Sequence, residues 1–312
     1  LKAHLDLAEL KERHSPLESL QSYLHASDLS FQQILLASKL DLDSYKQLAQ
    51  NMWDAAASQD PQAAQESNPD LGHLFPSWIK RVPLQTSRIV WNNVAVMRLH
   101  NNLLTEAKDA ILRTILLGAS STSSPSSPNT LTFINPASHI KSAGMNEVTP
   151  LPTSVVFASL FAKPLRDILP SQVSSLLETF ILDSRVYLLP STLSSGYNLG
   201  LCYEKMKENE KASQIYASIL DRYPTYLDAK LRLAIIKRDE GDLTGAETAL
   251  KEITSFTSQA DSKASSTAKS LAGIVLANLM MLKKEFKETQ SMMDVLVNKL
   301  SASKSSSSTG PS

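Results

Sequence analysis

The sequence predicts an all-α fold: a right-handed superhelix of stacked helical hairpins, interrupted by a Ser-rich disordered insertion. Three observations predict it. Leu199-Gly200, Ala212 and Tyr216 recur 34 residues later as Leu233-Ala234, Ala246 and Leu250, and a fixed period of this length marks a repeat architecture. Within each unit the apolar positions fall three to four residues apart, which places them on one helix face. Glycine is scarce at 9 residues and aromatic content is only 6%, a balance that favours helix over sheet.

The spacing follows from packing. Two antiparallel helices cross closely where side chains are small, at Gly200 and Ala212 and again at Ala234 and Ala246. Large residues fill the space between: Leu199, Tyr203 and Tyr216, then Leu233, Ile236 and Leu250. Pro224 ends the helix after Tyr223 and begins the step to the next unit. Gly241, inside Glu240-Gly241-Asp242, suits a left-handed helix end. Lys207 holds the matching place in the preceding unit, with Asn209 read as a weaker substitute. These are the spacings of a tetratricopeptide repeat (TPR), a helix–turn–helix unit that buries its core only when several copies stack.

Along the chain, residues 1–53 read as degenerate TPR-like helices. Leu5, Ala8 and Leu10 begin a short one, and Pro16 starts a second at Leu17, Leu20 and Leu24. Phe31, Ile34 and Leu35, then Leu42, Tyr45, Leu48 and Trp53, suggest two more. Residues 54–87 read as a linker with an apolar loop, Leu74 to Ile79, expected to dock on the repeats. Residues 88–117 read as one TPR, since Trp91, Val94-Ala95, Ala107 and Ile111 keep the repeat's spacing. Residues 118–150 hold a Ser/Pro-rich stretch expected to be disordered. Residues 151–193 read as an irregular helical insertion, with helices around Val155–Ala162 and Gln172–Leu182. Three TPR units follow over 194–299. In the last, Leu276-Ala277, Phe286 and Met293 fit, Thr289 replaces the small alanine, and the unit sits nine residues late. Residues 300–312 form a second Ser-rich tail expected to be disordered. Leu1 lies within a helical pattern, so the chain is expected to be a fragment of a longer protein.

Composition excludes several classes of function. Lys+Arg and Asp+Glu are both 31, and a balanced charge disfavours direct nucleic-acid binding. No run is apolar and long enough for a membrane span. The lone Cys202 permits no internal disulfide and reads as a buried filler. The six histidines, His4, His14, His25, His73, His100 and His139, stand at no metal-ligand spacing. No phosphate-binding loop, dinucleotide fingerprint or nucleophile elbow is present. No catalytic residue, cofactor or metal is therefore expected, and the partners are expected to be proteins rather than small molecules.

The candidate groove positions are Tyr197 and Leu201 in one unit, and Leu231 and Ile235 in the next. Their apolar character argues against a clamp for a partner's C-terminal carboxylate. Either they line a groove for a partner helix or strand, or they face the next superhelical turn. Ser124-Pro125 and Ser127-Pro128 are either targets of proline-directed kinases or parts of an inert insertion.

The wording of the repeats carries a closer resemblance. Gly196-Tyr197-Asn198-Leu199-Gly200-Leu201-Cys202-Tyr203-Glu204 leads to Ile215 through Tyr226, then to Leu231-Arg232-Leu233-Ala234 and Arg238-Asp239-Glu240-Gly241-Asp242. Asn92-Asn93-Val94-Ala95 with Leu104-Thr105-Glu106-Ala107-Lys108 precedes them, and Asn278-Leu279 with Lys283-Lys284-Glu285-Phe286 follows. In this order the motifs resemble the large TPR subunit of the RNA polymerase II-associated factor (PAF) complex, the Cln-three-requiring family. The resemblance covers roughly residues 88–117 and 194–297. It implies a nuclear, non-catalytic scaffold in transcription elongation and co-transcriptional histone modification, in contact with the subunits of that complex and the RNA polymerase II machinery. The alternative is a TPR adaptor of a chaperone or ubiquitin-ligase assembly.

Overall fold

A computed structural model describes residues 2–38, 43, 47, 84–124, 127–133, 171–256, 263–282 and 286–305. The expected apolar loop at Leu74–Ile79 and the helix at Val155–Ala162 lie outside them. Among the described residues the packed elements are eleven α-helices of the all-α TPR class, in two compact units, 1–207 and 208–312.

The first unit begins with α1 (Lys2–Lys11) and α2 (Pro16–Ser38). Pro16 opens α2 because the first helical position needs no N–H. The two helices cross at Ala8 and Ser19, where the Ser19 hydroxyl donates to the Ala8 carbonyl at 2.8 Å. The expected separate helix at Phe31–Leu35 is instead the end of α2, since nothing between Pro16 and Ser38 breaks the helical ladder. Next come α3 (Leu84–His100) and α4 (Leu104–Ser120), which pack on each other, with α3 also packing on α2. The helix thus starts at Leu84, inside the expected linker. Trp91, Val94, Ala95 and Met97 of α3 meet a nearly all-buried α4 that includes Ala107, Ala110, Ile111 and Ile115.

The Ser-rich stretch departs from expectation at its start. Its first residues complete α4, and β1 (Ser121–Ser124) then pairs antiparallel with β2 (Ser127–Phe133), Ser121 opposite Phe133. The ladder satisfies backbone groups without needing apolar side chains. Helix α5 (Ser171–Ser184) and a 3₁₀ turn (Val186–Leu188) lead into α6 (Leu193–Lys205). Helix α6 packs directly on α4, so the stack of helices resumes after the excursion of residues 121–192 as though α6 were the next helix in line.

The second unit holds α7 (Asn209–Arg222), α8 (Leu227–Asp239), α9 (Leu243–Ser255), α10 (Lys263–Leu282) and α11 (Phe286–Ser305). Successive helices pack on each other, and α10 also reaches α8. One core cluster joins them: Leu231 and Ala234 of α8, Ala246, Leu250 and Ile253 of α9, and Ala272, Leu276, Leu279 and Met280 of α10. Helix α11 approaches α10 over Gly273, where a Cβ would stand 3.1 Å from Leu296 Cδ2. It runs to Ser305, so the tail expected from residue 300 starts as helix.

The same turn ends three first helices. Asn102 (φ 61°), Lys207 (φ 66°) and Gly241 (φ 92°) each adopt the left-handed conformation seven residues after the small residue Ala95, Gly200 or Ala234. Around Gly241 the N–H groups of Gly241 and Asp242 donate to the Arg238 and Lys237 carbonyls, and around Asn102 those of Asn102 and Leu103 donate to Leu99 and Arg98. These paired bonds satisfy the orphan carbonyls of the helix end. Lys207 itself takes the strained place; Asn209, expected as the substitute, is instead the first residue of α7. The Asp242 carboxylate then caps α9 by accepting from the Gly245 N–H at 2.9 Å.

A left-handed lysine is costlier than a left-handed glycine. Lys207→Gly should therefore stabilise the chain by up to about 1 kcal/mol, and Gly241→Ala should destabilise it by roughly 1 kcal/mol. Urea unfolding midpoints check both signs. Tyr23 supplies a pH test. It is buried, its hydroxyl donates to Glu12 Oε1 at 2.5 Å, and Asn93 of α3 bonds to it as well. Burial first, then the Glu12 hydrogen bond and the charges of Glu12 and Glu9, push its pKa above the usual tyrosine value. The raised folded pKa contributes stability that is complete below the unfolded pKa of about 10 and is lost as pH climbs beyond it. Tyr23→Phe should flatten the alkaline decline of the thermal midpoint; an unchanged slope counts against this role.

Candidate protein-binding surface

Within the first unit an amphipathic helix packs on α4. Helix α5 turns Val173, Leu177, Phe180 and Ile181 inward, all buried and spaced for one face. At the centre of that contact sits Glu178. Lys108 Nζ of α4 donates to its Oε2 at 2.6 Å, and the Tyr203 hydroxyl of α6 donates to its Oε1 at 2.7 Å. One turn away, Ser174 Oγ donates to Asp109 Oδ1 at 2.7 Å. A single carboxylate of the excursion thus ties together two helices of the stack. Between α4 and α3, the Arg113 guanidinium lies over the Trp91 ring, 4.6 Å from its centroid, a cation–π contact. Cys202 is buried and its thiol faces the Leu104 carbonyl, a filler's position.

Most of the expected repeat positions are interior. Trp91, Ala95 and Ala107 are buried in α3 and α4, and Leu199, Gly200 and Tyr203 in α6. In the second unit Ala212, Tyr216, Ala234, Ala246, Leu250 and Ala277 are buried. Thr289, in place of the small alanine, is buried too. Two positions differ. Pro224 is exposed in the turn from α7 to α8, where the Tyr226 N–H donates to the Tyr223 carbonyl at 3.0 Å. Leu233 is only half-buried, and Ile236 takes the deep place instead.

The candidate groove residues divide. Tyr197 and Leu201 of α6 are half-buried. Leu231, however, is 4% exposed within the core cluster, and Ile235 packs against the same cluster. These two are therefore core rather than groove wall, because α10 lies against both α8 and α9 and covers that face.

The open apolar face lies one repeat further on, on α10. The register of Leu231 and Ile235 recurs on α10 at Ile274 and Asn278, the repeat length plus the nine extra residues. There Leu271 (47% exposed), Ile274 (40%) and Met281 (50%) line up with exposed Asn278 along one face. From Leu271 to Leu282 helix α10 is uncharged and nearly all apolar: one face joins the core cluster, a second meets Leu296 of α11, and the third faces outward. Met293 of α11, expected to fill the last unit, is exposed. The same register is thus buried on α8 and exposed on α10. The usable signal was the absence of any charged residue between Lys269 and Lys283, since an ordinary surface helix carries a polar face.

The described residues include no group of three metal-ligating side chains, and no described helix is long and apolar enough to cross a membrane. Asp228 has its pKa raised by burial, and Glu252 has its pKa lowered by the hydrogen bond from Lys230 across α8 and α9. Asp239 accepts from Arg238 at 2.7 and 2.8 Å.

The Glu178 tie makes a measurable prediction. Lys108 and Glu178 side chains retain 17% and 13% exposure, so Glu178→Ala should cost roughly 3 kcal/mol, the low end for breaking a buried pair. Pairing Glu178→Leu with Lys108→Met should recover much of that loss; a double-mutant cycle by urea unfolding checks both.

Residues 194–226, spanning α6 and α7 up to Tyr226, match the tetratricopeptide repeat family. The chain thus contains a TPR, a protein–protein interaction repeat.

Proposed function

We propose that this chain is a non-catalytic TPR scaffold of the PAF complex, acting in the nucleus in RNA polymerase II transcription elongation and co-transcriptional histone modification. The observation that carries the reading is the order of the repeat wording. Asn92–Ala95, Gly196–Glu204, Ile215–Tyr226, Arg238–Asp242 and Asn278-Leu279 follow one another as in the Cln-three-requiring family. The surface supports the scaffold part of the reading: an apolar stripe of Leu271, Ile274 and Met281 held out on a rigid helix suits a protein partner. The balanced charge of 31 basic and 31 acidic residues supports protein rather than nucleic acid as the partner.

Affinity purification of the tagged chain from nuclear extract should recover the other PAF subunits together with RNA polymerase II. Recovery of chaperone or ubiquitin-ligase components, with no polymerase-associated subunit, would sink the assignment and favour the adaptor alternative.

A further inference from the structure

Helix α5 is held by one face. Val173, Ser174, Leu177, Phe180 and Ile181 are buried, while Ser175, Leu176 and Thr179 on the other side are exposed. The frame beneath it stands on contacts of its own, since α4 packs on both α3 and α6. The turn that follows α5 is anchored separately. Val186, Tyr187 and Leu188 are buried, Thr192 Oγ1 donates to the Val186 carbonyl at 2.7 Å, and Ser191 Oγ donates to the Gly118 carbonyl at 3.0 Å. Between that turn and the helix stands Arg185, left-handed at φ 53°. The conformation is costly for a residue with a side chain, and it gives the chain one strained joint where helix and turn can part.

The seat of α5 is polar as well as apolar. Two adjacent residues of α4 meet it: Lys108 Nζ donates to Glu178 Oε2 at 2.6 Å, and Asp109 Oδ1 accepts from Ser174 at 2.7 Å. The Tyr203 hydroxyl of α6 donates to the other oxygen of Glu178 at 2.7 Å. Ser174 and Glu178 are four residues apart, so both lie on the seated face.

We propose that α5 is a built-in, displaceable occupant of a helix-binding site on α4 and α6, and that a partner helix of the same pattern takes its place. The pattern is read from α5 itself: apolar then Ser or Thr, two free positions, apolar then Glu, one free position, and two apolar residues, as in Val173-Ser174, Leu177-Glu178 and Phe180-Ile181. A buried ion pair adds little stability over apolar side chains of similar volume, so the Glu178 tie selects which helix is seated more than it tightens the seat. Release about Arg185 opens the site. This deepens the protein-binding reading above and rests on it.

Hydrogen exchange of the whole 312-residue chain tests the opening. Amides of α5 should exchange at least about a hundredfold faster than those of α4, as for a segment that opens without global unfolding. A labelled peptide of residues 171–185 tests the seat by fluorescence anisotropy. Phe180→Ala in the chain loosens α5 and leaves α4 and α6 unaltered, so it should raise the peptide's affinity at least about tenfold by weakening competition in cis. The same peptide carrying Glu178→Lys should bind that variant at least about tenfold more weakly, because its ammonium would meet Lys108. A cooperative circular dichroism melt shows the variant folded, and exchange in the unaltered chain decides the opening in either case. Equal exchange of α5 and α4, or equal binding of the two peptides, would overturn the proposal. So would a concentration-dependent dimer of the unaltered chain that Tyr203→Phe dissolves, which makes a second copy the occupant. If affinity purification still recovers the complex while α5 stays closed, the displaceable helix falls and the scaffold reading stands.

Discussion

The structure rests on a steric constraint repeated down the chain: helices can cross closely only where neither carries bulk. Ala95 and Ala107, Ala234 and Ala246, and Ala277 and Thr289 each lie twelve residues apart and are buried. The turn is bound to that constraint. A left-handed residue seven positions after the small one reverses the chain in little space, whether it is Asn102, Lys207 or Gly241. Glycine fits that conformation best, yet two of the three sites do without it. The close crossing over-determines the turn, and the backbone accepts local strain to keep it.

Period, helix class and small-residue positions were legible because they depend on contacts at fixed separations within about 34 residues. What was not legible depends on partners distant in sequence. Glu178 reads as one more surface carboxylate until Lys108 and Tyr203, 70 and 25 residues away, converge on it. Leu231 and Ile235 occupy positions that would face a groove, but the late arrival of α10 buries one and packs against the other. The continuity of α2 through Ser38 was missed for the opposite reason: local apolar spacing suggested a break where no residue enforces one. The apolar register could be read; which helix leaves it exposed could not, because that depends on contacts of α10 with helices distant in sequence.

Helix α10 explains how one element can serve core and surface together. Small residues, Ala268, Ala272, Gly273 and Ala277, face its neighbours and allow close packing. Large ones, Leu271, Ile274 and Met281, point away. Reversing that distribution would fill the core with bulk and leave nothing to offer a partner. The apolar exposure is therefore tied to the packing and is not a simple excess of hydrophobic residues.

The direct packing of α6 on α4 across residues 121–192 has a consequence for chain entropy. Closing a flexible loop costs only about 0.6 kcal/mol more for each doubling of its length. With α4 and α6 in contact and Glu178 bonded to both, the cost of joining them grows only slowly with the number of residues between, so the stability of the stack depends far more on the contacts at this seam than on the length of chain that spans it.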